Sequence, residues 1–179
     1  MSFLQSLFGT RQAAVQLDAA TAAAVARWQA LPAPDLRGPL AAQRGIVVDV
    51  ETTGLNIRED RLLAIGAVAV ESGEIRLERS FEVVLRQQAA SDAGNILIHR
   101  IRGGEQLEGV EAAAALLAFL EYAQKLPCAA FHAAFDEAML RRAVGDTLGI
   151  EFGLPFIDLA QLAPALVRDA PPKLGSLDE

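Results

Sequence analysis

The chain has 179 residues, a mass of 19.0 kDa and 52% apolar residues, enough to bury one substantial core. Its formal charge of −7, from 16 basic and 23 acidic residues, argues against a protein that holds nucleic acid mainly through a broad basic face. The longest strictly apolar run, Ala112 to Leu120, is about half of the ~20 residues that a spanning helix needs, and Met1 to Phe8 lacks the basic lead and apolar stretch of a secretory leader, so no membrane partner is expected.

Residues 1–40 read as an N-terminal helical extension that ends in a proline-rich linker, ahead of one domain over residues 41–179. Asp18 is placed to cap a helix from Ala19 to Leu31, with Val25 and Trp28 as apolar anchors, and Pro32 and Pro34 stop it. Trp28 and Leu31 are expected to pack on the domain that follows or on another subunit, which leaves a homo-oligomer open.

The run Ile46-Val47-Val48-Asp49-Val50-Glu51-Thr52-Thr53-Gly54 has the apolar lead and terminal glycine of a buried strand. Side chains alternate across a strand, so Asp49 and Glu51 share one face and Val50 takes the other. Two carboxylates that close repel unless a cation sits between them, which suggests a hard metal ion held by oxygen ligands; the plainer alternative is a solvated strand end that carries two acids. Arg61 to Val70 and Ile75 to Leu85 read as two further strands joined at Ser72-Gly73, an antiparallel meander. From Glu108 the period changes, and Val110, Ala114, Leu117, Leu120 and Tyr122 predict a long helix that ends before Pro127. Cys128 to Phe131 reads as a fourth strand, Glu137 to Leu148 as a helix, and Phe156-Ile157 as a fifth strand leading into a helix capped by Asp158. Cys128, the one cysteine, fits a buried thiol in a reducing cytoplasm. A meander followed by strand-helix alternation is the order of an α/β sheet.

Asp49-Val50-Glu51-Thr52-Thr53-Gly54-Leu55 resembles the first motif of the DEDD exonucleases. Phe131-His132-Ala133-Ala134-Phe135-Asp136 resembles their second motif, usually His-Asn-x-x-Phe-Asp, and Ile98-His99-Arg100-Ile101 their His-Gly-Ile element. From about Ile46 onward the chain is similar to the branch of that family that includes proofreading subunits of bacterial DNA polymerase III. The resemblance implies a ribonuclease H-like fold and a 3′ to 5′ exonuclease that releases nucleoside monophosphates from a single-stranded 3′ end, DNA before RNA, with a DNA polymerase as a possible partner. Leu4-Gln5-Ser6-Leu7-Phe8 resembles, one residue short, the peptides that bind the bacterial sliding clamp.

The same resemblance implies two divalent cations, Mg²⁺ or Mn²⁺, with Asp49 bridging both, Glu51 on the ion that carries the attacking water and Asp136 on the other. Oxygen ligands suit these hard cations better than zinc, and a pair of them stabilises the attacking and leaving oxygens of phosphoryl transfer. For the 3′ nucleotide the candidates are close backbone approach at Gly54, Thr52 or Thr53 as donors, Leu55, Ile98 and Phe135 around the terminal base, and His99 on the last phosphate or sugar. His132 reads as a structural histidine. Two departures stand out: Ala133 stands where the pattern has Asn, and no His-x₄-Asp third motif exists, since the only histidines are His99 and His132. The C-terminal catalytic helix is therefore expected to be missing from the chain. Two function classes compete: a metal-dependent exonuclease, and a non-catalytic nucleic-acid-binding or interaction domain on the same fold.

Overall fold

The structure is a computed structural model that describes residues 15–39, 43–91 and 101–166. Strands β1 (Arg44–Thr52), β2 (Leu62–Glu71) and β3 (Glu74–Val84) follow one another as antiparallel neighbours. Beyond β1, β4 (Cys128–Ala130) and β5 (Phe156–Asp158) add in parallel, which gives one mixed sheet in the order β3-β2-β1-β4-β5. The expected meander followed by β-α units is what forms.

The alternation in β1 divides the sheet into two unlike faces. Ile46, Val48, Val50 and Thr52 are at most 8% exposed, whereas Gly45, Val47, Asp49 and Glu51 remain open to solvent in part or in full. The covered face packs in one core with Leu116, Phe119 and Leu120 of α3 (Ala112–Ala123) and with Met139, Leu140 and Val144 of α4 (Ala134–Leu148). At the start of β2, Leu62-Leu63-Ala64-Ile65 is buried on both faces, as its unbroken apolar run predicts.

Helix α1 (Ala19–Gln29) is capped by Asp18, whose Oδ1 accepts the N–H groups of Ala20 and Thr21 at 2.9 and 3.0 Å. It ends two residues short of the expected Leu31 and returns Val25 and Trp28 to the main core. The Trp28 indole Nε1 donates to the Gln124 carbonyl at 2.7 Å, and the Lys125 ammonium lies 3.1 Å over the centre of its ring. Leu31 is 38% exposed and does not share that role.

The long helix expected from Glu108 starts four residues late, at Ala112, and Glu108 instead closes a short helix. A short α2 (Gly103–Glu108) stops, Gly109-Val110 passes through extended, and α3 then begins. The reason is a β-bridge: the Val110 N–H donates to the Val84 carbonyl and the Arg86 N–H to the Val110 carbonyl, each at 2.8 Å. That pairing brings backbone so close that a Cβ on residue 109 would lie 2.7 Å from the Val84 carbonyl oxygen, which only glycine avoids. Helix α4 starts three residues before the expected Glu137, so Phe135 and Asp136 occupy its first turn. Helix α5 (Leu159–Leu166) is capped as expected, with Asp158 Oδ1 accepting the Ala160 N–H at 2.9 Å. Cys128 is fully buried, and burial followed by the Glu137 charge pushes its thiol up to about 12. No helix among the described residues is long and apolar enough to cross a membrane.

Candidate active site

Strands β1, β4 and β5 run parallel and end side by side, and the order reverses between β1 and β4. In open α/β sheets such a crevice, outside the carboxyl ends of the strands, is where ligands bind. Asp49 and Glu51 reach it from the end of β1, Asp136 from the first turn of α4 and Asp158 from the end of β5.

A missing piece of strand places Asp136. Alternate N–H groups of β1 face β4: that of Ile46 donates to the Pro127 carbonyl at 3.0 Å, and Ile46 and Val47 pair with Cys128 and Ala129. Strand β4 has only three residues, so the row runs out before Val50. The Val50 N–H donates instead to Asp136 Oδ1 at 3.1 Å, and a buried backbone donor finds its partner in a carboxylate. Asp136 is 5% exposed.

Charge and burial act together on these acids. Burial lifts the Asp49 carboxyl above its usual range, and burial followed by the Asp49 charge does the same to Glu51. Asp136 goes furthest, to about 6, raised by burial, then by Asp49, and slightly by Asp158, against the downward pull of the Val50 N–H. Asp49 is thus the shared neighbour of two acid pairs. Among the described residues no Lys or Arg forms an ion pair with any of the three. An oxygen-only donor set that lacks a basic partner is chemically suited to a hard divalent cation. Among the described residues, however, no three His, Cys, Asp or Glu side chains are gathered closely enough to hold a metal ion.

The loop after β1 is organised by a residue to which the sequence reading gave no role. Asp60 accepts the Thr53 hydroxyl on Oδ1 and the Asn56 N–H on Oδ2, both at 2.8 Å. The Arg142 guanidinium of α4 donates to the Asp60 carbonyl, which ties the loop to the helix that carries Asp136. A Cβ on Gly54 would lie 2.5 Å from Asp60 Oδ2, so here glycine makes room for that carboxylate. The Thr52 hydroxyl donates to the Gly54 carbonyl at 2.7 Å, and with the Thr53 hydroxyl on Asp60 both candidate donors are engaged inside the loop. The polar stretch Asn56-Ile57-Arg58-Glu59-Asp60 between two strands was the only sign of this arrangement in the sequence. Leu55 is 58% exposed, while Phe135 is half-buried and packs against the core. Ile98 and His99 lie outside the described residues.

The second motif needs one correction. Counted back from Asp136, the six-residue pattern His-Asn-x-x-Phe-Asp lays its Asn on His132 and its His on Phe131, and Ala133 becomes the first spacer. The backbone agrees: His132 has φ 58°, the left-handed conformation that Asn adopts readily and His tolerates. The His132 N–H donates to Asp158 Oδ1 at 3.2 Å, so the Asp158 carboxylate holds the turn as well as capping α5.

A family model described as "Exonuclease" matches residues 46–177. The chain belongs to the exonuclease family. Family membership extends to curated relatives: the chain is 27% identical over 140 residues to a PolC-type DNA polymerase III of Thermotoga petrophila, covering 75% of this chain and 10% of that protein. A PolC-type DNA polymerase III of Thermotoga maritima is 28% identical over 129 residues, 69% of this chain and 9% of that protein. The chain thus spans about a tenth of the length of the curated relatives it matches. Among solved structures, E. coli exonuclease I in complex with a dA16 oligonucleotide superimposes with a TM-score of 0.59 at 16% identity, over 68% of this chain and 28% of that one. The zinc-bound form of the same enzyme's complex with single-stranded DNA gives 0.56 at 17% identity, over 68% and 29%. These likenesses establish the ribonuclease H-like fold.

Proposed function

We propose that the chain is the nuclease unit of a 3′ to 5′ exonuclease that releases nucleoside monophosphates from single-stranded DNA. The observation that carries this reading is the group of three acids, Asp49, Glu51 and Asp136, at the carboxyl ends of β1 and β4, each raised in pKa and none in an ion pair with a base among the described residues. Membership of the exonuclease family and the likeness to a fold whose solved members hold oligonucleotides support it. Residues 41–179 form the unit in this reading and residues 1–40 precede it as an extension; a DNA polymerase is the partner that the relatives suggest.

The three carboxylates would have to draw closer than they stand here to hold Mg²⁺ or Mn²⁺, and two such ions would supply an activated water and neutralise charge on the transferring phosphoryl group. The chain's own residues do the rest. The Val50 N–H and the first turn of α4 fix Asp136, strand alternation fixes Asp49 and Glu51, and Asp60 with Arg142 holds Gly54 and Leu55 at the rim. Leu55, Phe135, Ile98 and His99 would meet the terminal nucleotide, with backbone near Gly54, Thr52 and Thr53 beside it.

One observation favours a second reading, a domain that binds nucleic acid without cutting it. The sequence has no His-x₄-Asp, and loss of a general base alone typically lowers a rate by about 10² to 10⁴. Turnover by the 179 residues is therefore expected to be weak. The test is a 5′-labelled single-stranded oligonucleotide incubated with Mg²⁺ or Mn²⁺. Slow shortening from the 3′ end, stopped by chelator and absent in Asp49→Ala, supports the exonuclease. Binding that is indifferent to the cation, with no shortening even when a His-x₄-Asp helix is appended, transfers the case to the second reading.

A further inference from the structure

Phe131 is the residue at the acid site that nothing so far has used. Ala130 and Ala133 beside it are 1% and 4% exposed, yet the Phe131 ring is 49% exposed. Its place follows from the end of β4: Val47 pairs with Ala129, the strand stops at Ala130, and Phe131 is the next residue, at the carboxyl-end crevice. Burial alternates along Ala129, Ala130 and Phe131 as it does along Val47, Val48 and Asp49, so Phe131 lies on the open side of the sheet, the side of Asp49 and Glu51. It is braced there. The His132 ring meets it nearly edge-on, with centroids 4.7 Å apart and planes at 74°, and His132 is itself held through its backbone by Asp158.

We propose that the Phe131 ring is a stacking platform for a nucleobase of the bound strand. The proposal rests on the nuclease reading and deepens it. The candidate acids stand at this end of the sheet and repel phosphates until cations arrive, and the chain carries a net charge of −7. Contacts to the backbone therefore supply little attraction beyond the cations themselves, and the strand needs a neutral surface to rest on. A half-exposed aromatic ring supplies one: every base has a π-face, so the contact tolerates any sequence, as an exonuclease requires. Stacking also resists salt, because no counterion is released in forming it.

The test compares two probes with the whole chain in Mg²⁺: a short 5′-labelled oligodeoxyadenylate and an abasic strand of the same length, read by fluorescence anisotropy. Phe131→Ala is expected to weaken binding of the adenylate strand about 5- to 100-fold, the range for one stacked base, and to leave the abasic strand unaffected. Phe131→Trp should bind the adenylate at least as well as wild type, and Phe131→Leu, which keeps bulk without an aromatic face, should behave like Phe131→Ala. In any residual cleavage the loss should fall on KM and spare kcat. Equal losses on both probes would show that Phe131 acts through the fold, and no loss on either would remove its contact with the strand; each overturns the proposal while cation-dependent shortening keeps the nuclease reading. A wild-type chain that neither binds nor shortens either strand would overturn both.

Discussion

The paired strands β1 and β2 treat carboxylates in opposite ways at their two ends. At one end Arg44 and Glu71 are cross-strand partners, the Arg44 guanidinium meets Glu71 Oε1 at 2.8 Å, and Arg79 joins from β3. Burial pulls the Glu71 carboxyl up, but hydrogen bonds and charge from the two arginines outweigh it and hold the group below its usual range. At the other end Asp49, Glu51 and Asp136 are all raised, and the cross-strand partners of Asp49 and Glu51 are Gly66 and Ala64. Two ends of one ladder thus carry acids, one neutralised within the protein and one without a basic ion-pair partner among the described residues. On the proposed function, the difference separates carboxylates that serve the fold from carboxylates that await a ligand.

The contrast is most exposed to failure at Asp49, which both other acids feel. Asp49→Ala is expected to weaken Mn²⁺ binding by more than the 10- to 100-fold typical of outer-shell changes around a metal. Calorimetry giving the same isotherm for variant and wild type would end the claim that this end awaits a cation. A gentler change transplants the solution of the opposite end. Gly66 faces Asp49 across the ladder, and a Cβ there would meet the Asp49 carbonyl oxygen at an ordinary 4.0 Å, so Gly66→Arg would place a guanidinium over the acids as Arg44 stands over Glu71. We expect Mn²⁺ affinity to drop by roughly 10-fold and the metal-free protein to lose no stability, since an opposite charge favours the ionised carboxylates. Unchanged affinity would mean that the two ends are not comparable.

Next in size is a pH effect. The Asp136 carboxyl ionises near 6 in the fold, against 3.8 as a reference value, so the folded state holds its proton more tightly than the unfolded one. That contribution to stability is fully present below about pH 4 and is lost as pH rises through about 6. Asp136→Asn stays neutral and can still accept the Val50 N–H. Its metal-free melting temperature should match wild type near pH 4 and exceed it at pH 8 by ~2 to 4 °C, on the order of 1 kcal/mol. A constant difference across that range would contradict the assignment. The smallest effect belongs to the neutralised end: Glu71→Gln should lower the urea unfolding midpoint only slightly and leave the Mn²⁺ isotherm alone.

Much of this was legible in the sequence because the signals were periodic. The alternation around Asp49 and Glu51, the apolar start of β2 and the cap at Asp158 are local patterns, and each formed where it was expected. The breaks were not legible, because they depend on backbone from elsewhere. Nothing near Gly109 shows that Val84 and Arg86 will pair with its neighbour and delay the start of a helix, and nothing near Asp60 shows that its carboxylate will occupy the space beside Gly54. Asp136 was readable as a residue type in a motif, but its burial against Val50 follows from the three-residue length of β4, which a sequence pattern resolves poorly. Phe131 stands where the pattern has His, a register that the sequence leaves open and that the positive φ of His132 decides.

The short β4 also equips the molecule with an internal reporter. The amide proton of Val50 is shielded at that edge by the Asp136 carboxylate and not by a neighbouring strand. Its exchange with deuterium should therefore follow the state of the acid site, while Ile46, on the same row but bonded to the Pro127 carbonyl, follows the opening of the sheet itself. Two amides four residues apart on one strand can thus be timed against each other by NMR, in one sample and without a label at the site.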